Sequence, residues 1–128
     1  MGGAKIVLKL INRIFFACDV AYQVDLPAST KMPHQGLGVV IHPNVFIGED
    51  CTIYQNVTLG AKGKKESGHQ APIIGNHVMI GAGAVIIGNV NVGDYAVIGA
   101  NSVVLEDVPS RAVVAGIPAK VKYIKKDL

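Results

Sequence analysis

Aromatic side chains are scarce in this sequence, and tryptophan is missing altogether. Aromatic residues make up 5% of the 128 positions, whereas apolar residues as a whole make up 50%. The platforms of aromatic and arginine residues on which nucleic-acid binders stack bases are therefore not available. The net charge of +3 is small, and it suits a small anionic ligand better than a nucleic-acid backbone. We expect one domain with a core of Val, Ile, Leu and Ala, and no nucleic-acid partner.

Cysteine is also scarce. The two cysteines, Cys18 and Cys51, lie in unrelated sequence contexts, which excludes a disulfide framework and a paired metal-binding motif. The four histidines are scattered, with no cysteine or carboxylate at ligand spacing, so we expect no metal site. This cysteine usage fits a reducing compartment, and we expect the protein to be cytoplasmic.

Long hydrophobic runs are missing as well. The most apolar stretch near the N-terminus is IVLKLINRIFFA, and Lys9 and Arg13 interrupt it, so it does not suit a membrane span. Ile6, Leu10 and Ile14 recur at helical spacing, which predicts an amphipathic helix within residues 1–20. We expect its apolar face to pack against the rest of the protein or a neighbour, and we expect no membrane partner, although contact with a membrane surface is the alternative.

A period of six residues dominates the rest of the chain. Aliphatic residues recur at every sixth position in two series, which are Ile41, Ile47, Ile53 and Leu59, then Ile74, Ile80, Ile86, Val92, Ile98 and Val104. Four positions after each of them stands a small or compact residue, such as Cys51 or Ala84. Neither a helix nor an alternating strand has this period. It predicts a solenoid in which three six-residue units close one triangular coil and the coils stack as parallel strands, with Cys51 in the core rather than acting as a nucleophile.

The period also marks the boundaries of the solenoid. The separation of Leu59 and Ile74 is not a multiple of six, so we predict an excursion loop over residues 60–73 within a coil domain of residues 21–117. The ending, residues 118–128, abandons the period and begins with a proline that cannot donate to a ladder. We predict that this tail caps the last coil and runs outward.

Four motifs carry a resemblance to a known family. They are VVIHPNVFIG, YQNVTLGAKGK, APIIGNHVMIGAGAVIIGNV and GANSVVLEDVPSRAVVAGIPAKV. Over about residues 21–122 the chain resembles the hexapeptide-repeat acyltransferases, and within them it is most similar to the serine acetyltransferases. The resemblance implies an all-β, left-handed parallel β-helix, here with a short N-terminal helix and an excursion loop. It also implies a homotrimer with active sites between neighbouring prisms.

The resemblance further implies acetyl-coenzyme A as the donor and the L-serine hydroxyl as the acceptor, giving O-acetylserine for cysteine biosynthesis. A sugar or polysaccharide hydroxyl is the alternative acceptor, because a fold does not fix its substrate. A non-enzymatic solenoid is the alternative of another class, and it predicts no affinity for coenzyme A. Relatives often end in an isoleucine that docks into cysteine synthase, and because this chain ends in Leu128, that contact is only a weak expectation.

Acyl transfer to a hydroxyl needs a base, and histidine has a suitable pKa for that role. The segment MPHQGLGVV is similar to the family's base motif and assigns the general base to His34. Pro33 stands where the family has an aspartate, and one extra residue separates His34 from Gly38. By the resemblance, Asp25 would orient the base as a second catalytic residue. A turn-capping role for Asp25, two residues before Pro27, is an equally supported reading.

Two other kinds of site residue are expected. His69, in the excursion loop, aligns loosely with a family residue that binds the substrate carboxylate, and a solvated loop residue is an equal alternative. Small residues that let a pantetheine arm reach the backbone are Gly81, Ala82, Gly83, Ala84, Gly99 and Ala100. Lys120, with Lys62 or Lys64 as further candidates, would pair with the phosphates of the cofactor. We expect His42 and His77 to have structural or surface roles.

Overall fold

The computed structural model describes residues 2–21, 23–63 and 70–127. One helix, α1 (Gly2–Phe16), precedes a series of short strands. The strands are β1 (Asp19–Val20), β2 (Val40–Ile41), β3 (Phe46–Ile47), β4 (Thr52–Ile53), β5 (Thr58–Gly60), β6 (Ile73–Ile74), β7 (Met79–Ile80), β8 (Val85–Ile87), β9 (Asn91–Val92), β10 (Val97–Ile98), β11 (Val103–Val104), β12 (Ala112–Gly116) and β13 (Ala119–Ile124). A 3₁₀ turn at Pro33–Gly36 lies between β1 and β2.

The strands form three sheets. Sheet A has the order β1-β2-β5-β8-β11, sheet B has the order β13-β12-β10-β7-β4, and sheet C has the order β3-β6-β9. From β4 to β11 the chain visits the sheets in the cyclic order B, A, C, and all pairs except β12 with β13 are parallel. A chain that runs through three sheets in rotation and pairs with itself one turn later is a parallel β-helix. The predicted solenoid is confirmed.

Pairing offsets give the length of a coil. Met79 pairs with Val97, and Val85 pairs with Val103. In both pairs the second residue follows the first by three repeats of the six-position period, as the sequence predicts. Each residue of the two aliphatic series is no more than 3% exposed, and the compact positions between them are buried too. Full burial of such side chains stabilises a fold by about 1.5–3 kcal/mol each, so the interior ladder is the main source of stability.

Two insertions interrupt this regular offset. Thr58 pairs with Val85, half a coil further along the chain than the regular offset would place its partner. The excess lies between β5 and β6, in the loop where an excursion is predicted. Lys31 pairs with Thr52, three positions beyond the regular offset, whereas β2 and β5 pair at the regular offset. Three extra residues, 33–35, therefore bulge out of the first coil. The period does not predict this second insertion, because it lies before the first aliphatic series begins.

The C-terminal tail differs from its prediction in one respect. β13 pairs antiparallel with β12 and forms a hairpin at the edge of sheet B, with a register shift between Val113 and Val114. Pro118 lies in the turn between the two strands, where no ladder donor is needed, so it does not prevent pairing. The tail therefore folds back along the coil instead of running outward.

The N-terminal helix also differs from expectation. None of its residues is buried, and Ile14, on the predicted packing face, is 74% exposed. The expected packing of this face against the rest of the chain is wrong for the residues described, because the opposite side, with Lys5, Leu8, Lys9, Asn12 and Phe16, faces the coil. Lys9 Nζ lies 3.2 Å from a carboxylate oxygen of Asp19 in β1. Over the described ranges, no helix combines the length and apolar character that crossing a membrane requires.

Candidate functional site

The chain turns from sheet B to sheet A at one corner of every coil, and the four turn segments stack on one another. We call segments 36–39, 54–57, 81–84 and 99–102 the B/A corner. Backbone hydrogen bonds of 2.8 to 3.0 Å connect them: N–H donors are Asn56, Gly83 and Asn101, and the matching carbonyl acceptors are Leu37, Gln55 and Ala82. The residues that the sequence assigns to the cofactor, from Gly81 to Ala84 with Gly99 and Ala100, therefore lie together in two adjacent rungs.

Glycine is required in this corner by close packing between rungs. A Cβ added to Gly81 would lie 2.7 Å from the Ala100 nitrogen, and one added to Gly99 would lie 3.1 Å from the Ala115 Cβ. Gly83 has φ = +72°, and an added Cβ there would collide with the side chain of Asn101. Ala82 is half-buried and Ala100 is exposed. The corner is therefore a shallow track along which a ligand can approach the backbone.

His34 lies at the N-terminal end of this track. It belongs to the three-residue insertion that immediately precedes Gly36, and its side chain is exposed. His34 and Gln35 have φ values of 57° and 59°, in the left-handed region that non-glycine residues seldom adopt. The Leu37 amide donates a hydrogen bond to the His34 carbonyl over 3.2 Å and closes the turn. The insertion thus presents an imidazole at the edge of the small-residue corner.

Lys120 lies at the other end of the track. It pairs with Ala115, which stacks above Gly99 as the next rung of the corner. From the rung of Gly36 to that of Ala115 there are four strand spacings of about 4.8 Å, or about 19 Å in total. An exposed imidazole and an exposed ammonium group therefore lie at opposite ends of the B/A corner, in which segments 81–84 and 99–102 carry mainly small residues.

Asp25 and His34 form no ion pair within the described part of one chain. Asp25 is exposed, and the two ion pairs of residues 2–21, 23–63 and 70–127 are Lys9–Asp19 and Asp50–His77. The Asp25 carboxylate is close to the expected base in sequence. The fold of the single chain does not bring the two groups to ion-pair distance.

The other expected basic residues lie at different places. His69 and Lys64 are outside the described residues. Lys62 is exposed near Gly88, at the corner between sheets A and C, and its amide donates a hydrogen bond to the Gln70 carbonyl over 2.9 Å. The structure therefore does not bring Lys62 to the B/A corner of its own chain.

The remaining histidines make contacts within the coil. His42 Nδ1 accepts a hydrogen bond from the Asn44 amide over 3.1 Å. His77 stacks on Tyr95 with ring centroids 4.5 Å apart, and its Nε2 lies 3.6 Å from a carboxylate oxygen of Asp50. These contacts support the structural roles expected for both histidines.

Neither cysteine is suited to nucleophilic catalysis. The Cys51 side chain is fully buried and its thiol donates a hydrogen bond to the Gly75 carbonyl over 3.1 Å. Burial raises the pKa of the Cys51 thiol, and burial likewise raises the pKa of the Cys18 thiol. A thiol that holds its proton more firmly is a weaker nucleophile at neutral pH. The predicted core position of Cys51 is confirmed.

One residue of the corner was not singled out by sequence reasoning. Gln55 stacks between Leu37 and Ala82, and its Oε1 atom is buried without a hydrogen-bond partner in the described part of the chain. An unpaired buried polar atom is costly and calls for an explanation. The available signal is its position in the period, since Gln55 occupies the slot that Ala82 occupies one coil later.

Comparison with known proteins shows what this chain is similar to. The model of the bacterial transferase hexapeptide (six repeats) matches residues 71–106. The serine acetyltransferase of Synechococcus elongatus is 51% identical over 117 residues, which are 91% of this chain and 47% of that protein. The serine acetyltransferase of Haemophilus influenzae is 46% identical over 122 residues, covering 91% and 44% of the two chains. Over most of its length the chain is therefore similar to hexapeptide-repeat acyltransferases.

Solved structures agree with this similarity. The serine acetyltransferase of Neisseria gonorrhoeae superimposes with a TM-score of 0.89 at 35% identity, covering 99% of this chain and 50% of that one. A serine acetyltransferase in complex with CoA gives a TM-score of 0.81 at 38% identity, covering 91% and 46%. This hexapeptide-repeat chain spans about half the length of the curated relatives it matches.

Proposed function

We propose that the B/A corner binds acetyl-coenzyme A and that the protein transfers its acetyl group to a hydroxyl, with L-serine as the acceptor. The observation that carries this proposal is the B/A corner, about 19 Å long, in which His34 and Lys120 lie at opposite ends and segments 81–84 and 99–102 carry mainly small residues. Relatives named serine acetyltransferase, and a solved serine acetyltransferase bound to CoA, support the donor and the acceptor.

The chemistry follows from the groups at the two ends. Lys120 pairs with the cofactor phosphates, and the pantetheine arm lies along Gly99 and Gly81 toward His34. The imidazole accepts the hydroxyl proton while the hydroxyl oxygen attacks the thioester carbonyl, because an alcohol is a poor nucleophile at neutral pH. The carbon–sulfur bond then breaks, and the coenzyme A thiolate takes the proton from the imidazolium. Transfer is direct, since both cysteine thiols are buried with raised pKa values.

The assembly and its further groups are part of the same proposal. A homotrimer would cover the open B/A corner with a neighbouring prism, whose loop of residues 60–73 would bring His69 to the acceptor. Asp25 would orient His34 in that closed site. Exposed apolar residues on outward faces of the coil, such as Phe46 and Met79, support burial by a neighbour.

Several broader features complete the proposal. We propose that the chain divides into a helix region of residues 1–20, a coil domain of residues 21–117 with a loop at 60–73, and a tail of residues 118–128. The coils wind left-handed, in keeping with the similarity to serine acetyltransferase structures. The protein acts in the cytoplasm in cysteine biosynthesis, and contact with cysteine synthase is the weakest element.

A sugar hydroxyl is the second candidate acceptor. The observation that favours it is the altered surroundings of the base: Pro33 precedes His34, and Asp25 makes no ion pair in the single chain within the described ranges. A site that has lost a carboxylate near the base has less to offer the ammonium group of serine, whereas a neutral sugar hydroxyl needs no such partner.

The decisive experiment measures thiol release from acetyl-coenzyme A with L-serine and with a panel of sugars. For the preferred acceptor, His34→Ala should lower kcat/KM by about a hundredfold or more, the usual contribution of a general base. His42→Ala is the matched control, because His42 is half-buried and hydrogen-bonded within its own turn. Full turnover by His34→Ala would overturn the assignment of the base.

A further inference from the structure

A bulge in β13 changes the direction in which its later side chains point. Two consecutive residues of β12, Val113 and Val114, pair with Tyr123 and Val121, so Lys122 is an extra residue without a partner on β12. Side chains of a regular strand alternate between two faces, and one extra residue reverses this alternation for the residues that follow. Tyr123 therefore lies on the face opposite to that of Val121, although the two are separated by a single residue.

The face that Tyr123 joins is the outer face of sheet B. Val113 is half-buried between two buried neighbours, so its side chain points outward. Residues directly opposite each other in an antiparallel pair lie on the same face, and Tyr123, opposite Val113, is 59% exposed. Lys120 is opposite Ala115, which lies two positions beyond Val113 and points the same way. Lys120 and Tyr123 therefore share the outer face of β13.

The position of Tyr123 continues the path of the B/A corner. β13 is the edge strand of sheet B, so within the described part of the chain no further rung lies beyond Lys120. A ligand that reaches Lys120 along the corner keeps contact with the protein by turning along β13. At about 3.3 Å per residue, Tyr123 lies no more than about 10 Å from Lys120 along that strand. The ring is therefore the next large side chain that such a ligand meets on this face.

The surroundings of Tyr123 suit a nucleotide. The stacked ring pair of the described residues is His77 with Tyr95, so no ring in that part of the chain stacks on Tyr123. An exposed aromatic face of this kind stacks on a nucleotide base without any need for hydrogen bonds to the base. Residues 108–126 contain five basic residues and no aspartate or glutamate, and this positive charge favours a base that carries phosphate groups.

We propose that Tyr123 is the stacking surface for the adenine ring of acetyl-coenzyme A, with Lys120 at the diphosphate, from which the ribose separates the adenine. This inference rests on the proposed function, because it takes acetyl-coenzyme A as the donor. It adds a residue through which the protein distinguishes this donor from a thioester without adenosine. The scarcity of aromatic residues does not oppose it, since one base needs one ring.

The test is isothermal titration of the full chain with coenzyme A and with phosphopantetheine, which has the same arm and a phosphate but no adenosine. Tyr123→Ala should raise the Kd for coenzyme A by about tenfold, the usual effect of removing a ring that stacks on a base. The Kd for phosphopantetheine should not change. Tyr123→Phe keeps the ring and should bind coenzyme A as the parent does.

Ile124→Ala is the matched control, because Ile124 is 49% exposed but lies on the other face of β13, opposite the buried Ala112. It should bind both ligands as the parent does, and circular dichroism checks that each variant is folded. Three results would overturn the inference alone: unchanged affinity of Tyr123→Ala for coenzyme A, equal weakening for both ligands, or a loss in Tyr123→Phe as large as in Tyr123→Ala.

Failure of the proposed function gives different results. A parent protein that binds neither ligand would overturn the cofactor site, and the adenine surface with it. A parent that binds coenzyme A through Tyr123 but releases no thiol from acetyl-coenzyme A with any acceptor would contradict acetyl transfer and support the adenine surface.

Discussion

Two corners of the same coil differ in the side chains they carry. In the B/A corner, segments 81–84 and 99–102 carry mainly small residues, and the rungs are connected through the backbone. The corner between sheets C and B, formed by segments 48–51, 75–78, 93–96 and 109–111, has equivalent backbone hydrogen bonds, and side-chain acceptors add to them. There the Glu49 amide donates to Asn76 Oδ1 and the Asn76 amide donates to Asp94 Oδ1, each over 2.8 Å. Side-chain hydrogen bonds thus stabilise the corner between sheets C and B, whereas the B/A corner is left open to a ligand.

The largest effect, on the affinity for the cofactor, is expected when the B/A corner is blocked. Ala100→Phe adds a large ring to an exposed position of the track without entering the core. If the cofactor lies there, the affinity for acetyl-coenzyme A should fall by about tenfold or more, while the free energy of unfolding changes by no more than about 0.5 kcal/mol. Isothermal titration and urea unfolding of the same preparations measure the two quantities.

A control for this variant is Tyr95→Phe, which lies in the corner between sheets C and B and keeps the ring that stacks on His77. It should bind acetyl-coenzyme A as the parent does. If the Ala100→Phe protein has normal affinity for acetyl-coenzyme A, the cofactor does not lie at this corner, and the functional difference between the two corners is wrong.

A smaller effect, on stability rather than on cofactor affinity, is expected from a substitution in the corner between sheets C and B. Asn76→Ala removes the acceptor of the Glu49 amide and should lower the free energy of unfolding by about 1 kcal/mol. The KM for acetyl-coenzyme A should not change, because Asn76 lies in another corner. Urea unfolding and steady-state kinetics give the two readings.

Asn44→Ala is its matched control, since Asn44 is an exposed corner residue whose backbone amide, rather than its side chain, makes the hydrogen bond described. Its stability should stay within about 0.5 kcal/mol of the parent. Equal losses in both variants would mean that the side-chain ties contribute nothing specific.

The smallest effect concerns the pH dependence of stability that arises from Cys51, in the corner between sheets C and B. Burial raises the pKa of the Cys51 thiol above its ordinary value of 9.0, so the folded chain holds this proton more firmly than the unfolded chain. Stability from this group is complete below about pH 9 and is lost as the pH rises through the raised pKa. Cys51→Ala should therefore flatten the decline in urea midpoint between about pH 8 and about pH 10.

Cys18→Ala provides the comparison, because burial also raises the pKa of the Cys18 thiol, which is not part of that corner. A decline of undiminished slope in the Cys51→Ala protein would show that other groups cause the alkaline loss of stability.

The coil could be predicted because its interior repeats. A core side chain such as Ile80 contacts its equivalents one coil above and one coil below, so each slot demands the same kind of residue once per coil. The interior ladder and the position of the long loop follow from this constraint. The grouping of Gly81 and Gly99 in one corner follows from it as well.

The parts that could not be predicted lie where the repeat gives no constraint. The insertion that carries His34 precedes the first aliphatic series, so no period reveals its three extra residues. The side of α1 that faces the coil depends on which groups the coil offers, and the ion pair of Lys9 with Asp19 lies on that side. The distance between the Asp25 carboxylate and the His34 ring depends on the spatial path of the intervening chain, which the spacing in sequence does not determine.

The reversed direction of β13 has a consequence for self-assembly. A stack of parallel coils ends in unpaired backbone groups, to which further coils of any copy could add in register. On sheet B, β13 occupies that position in the antiparallel sense and carries Lys120 and Lys122 along its exposed length. A further parallel coil that adds to sheet B would therefore meet an antiparallel strand that carries two lysines.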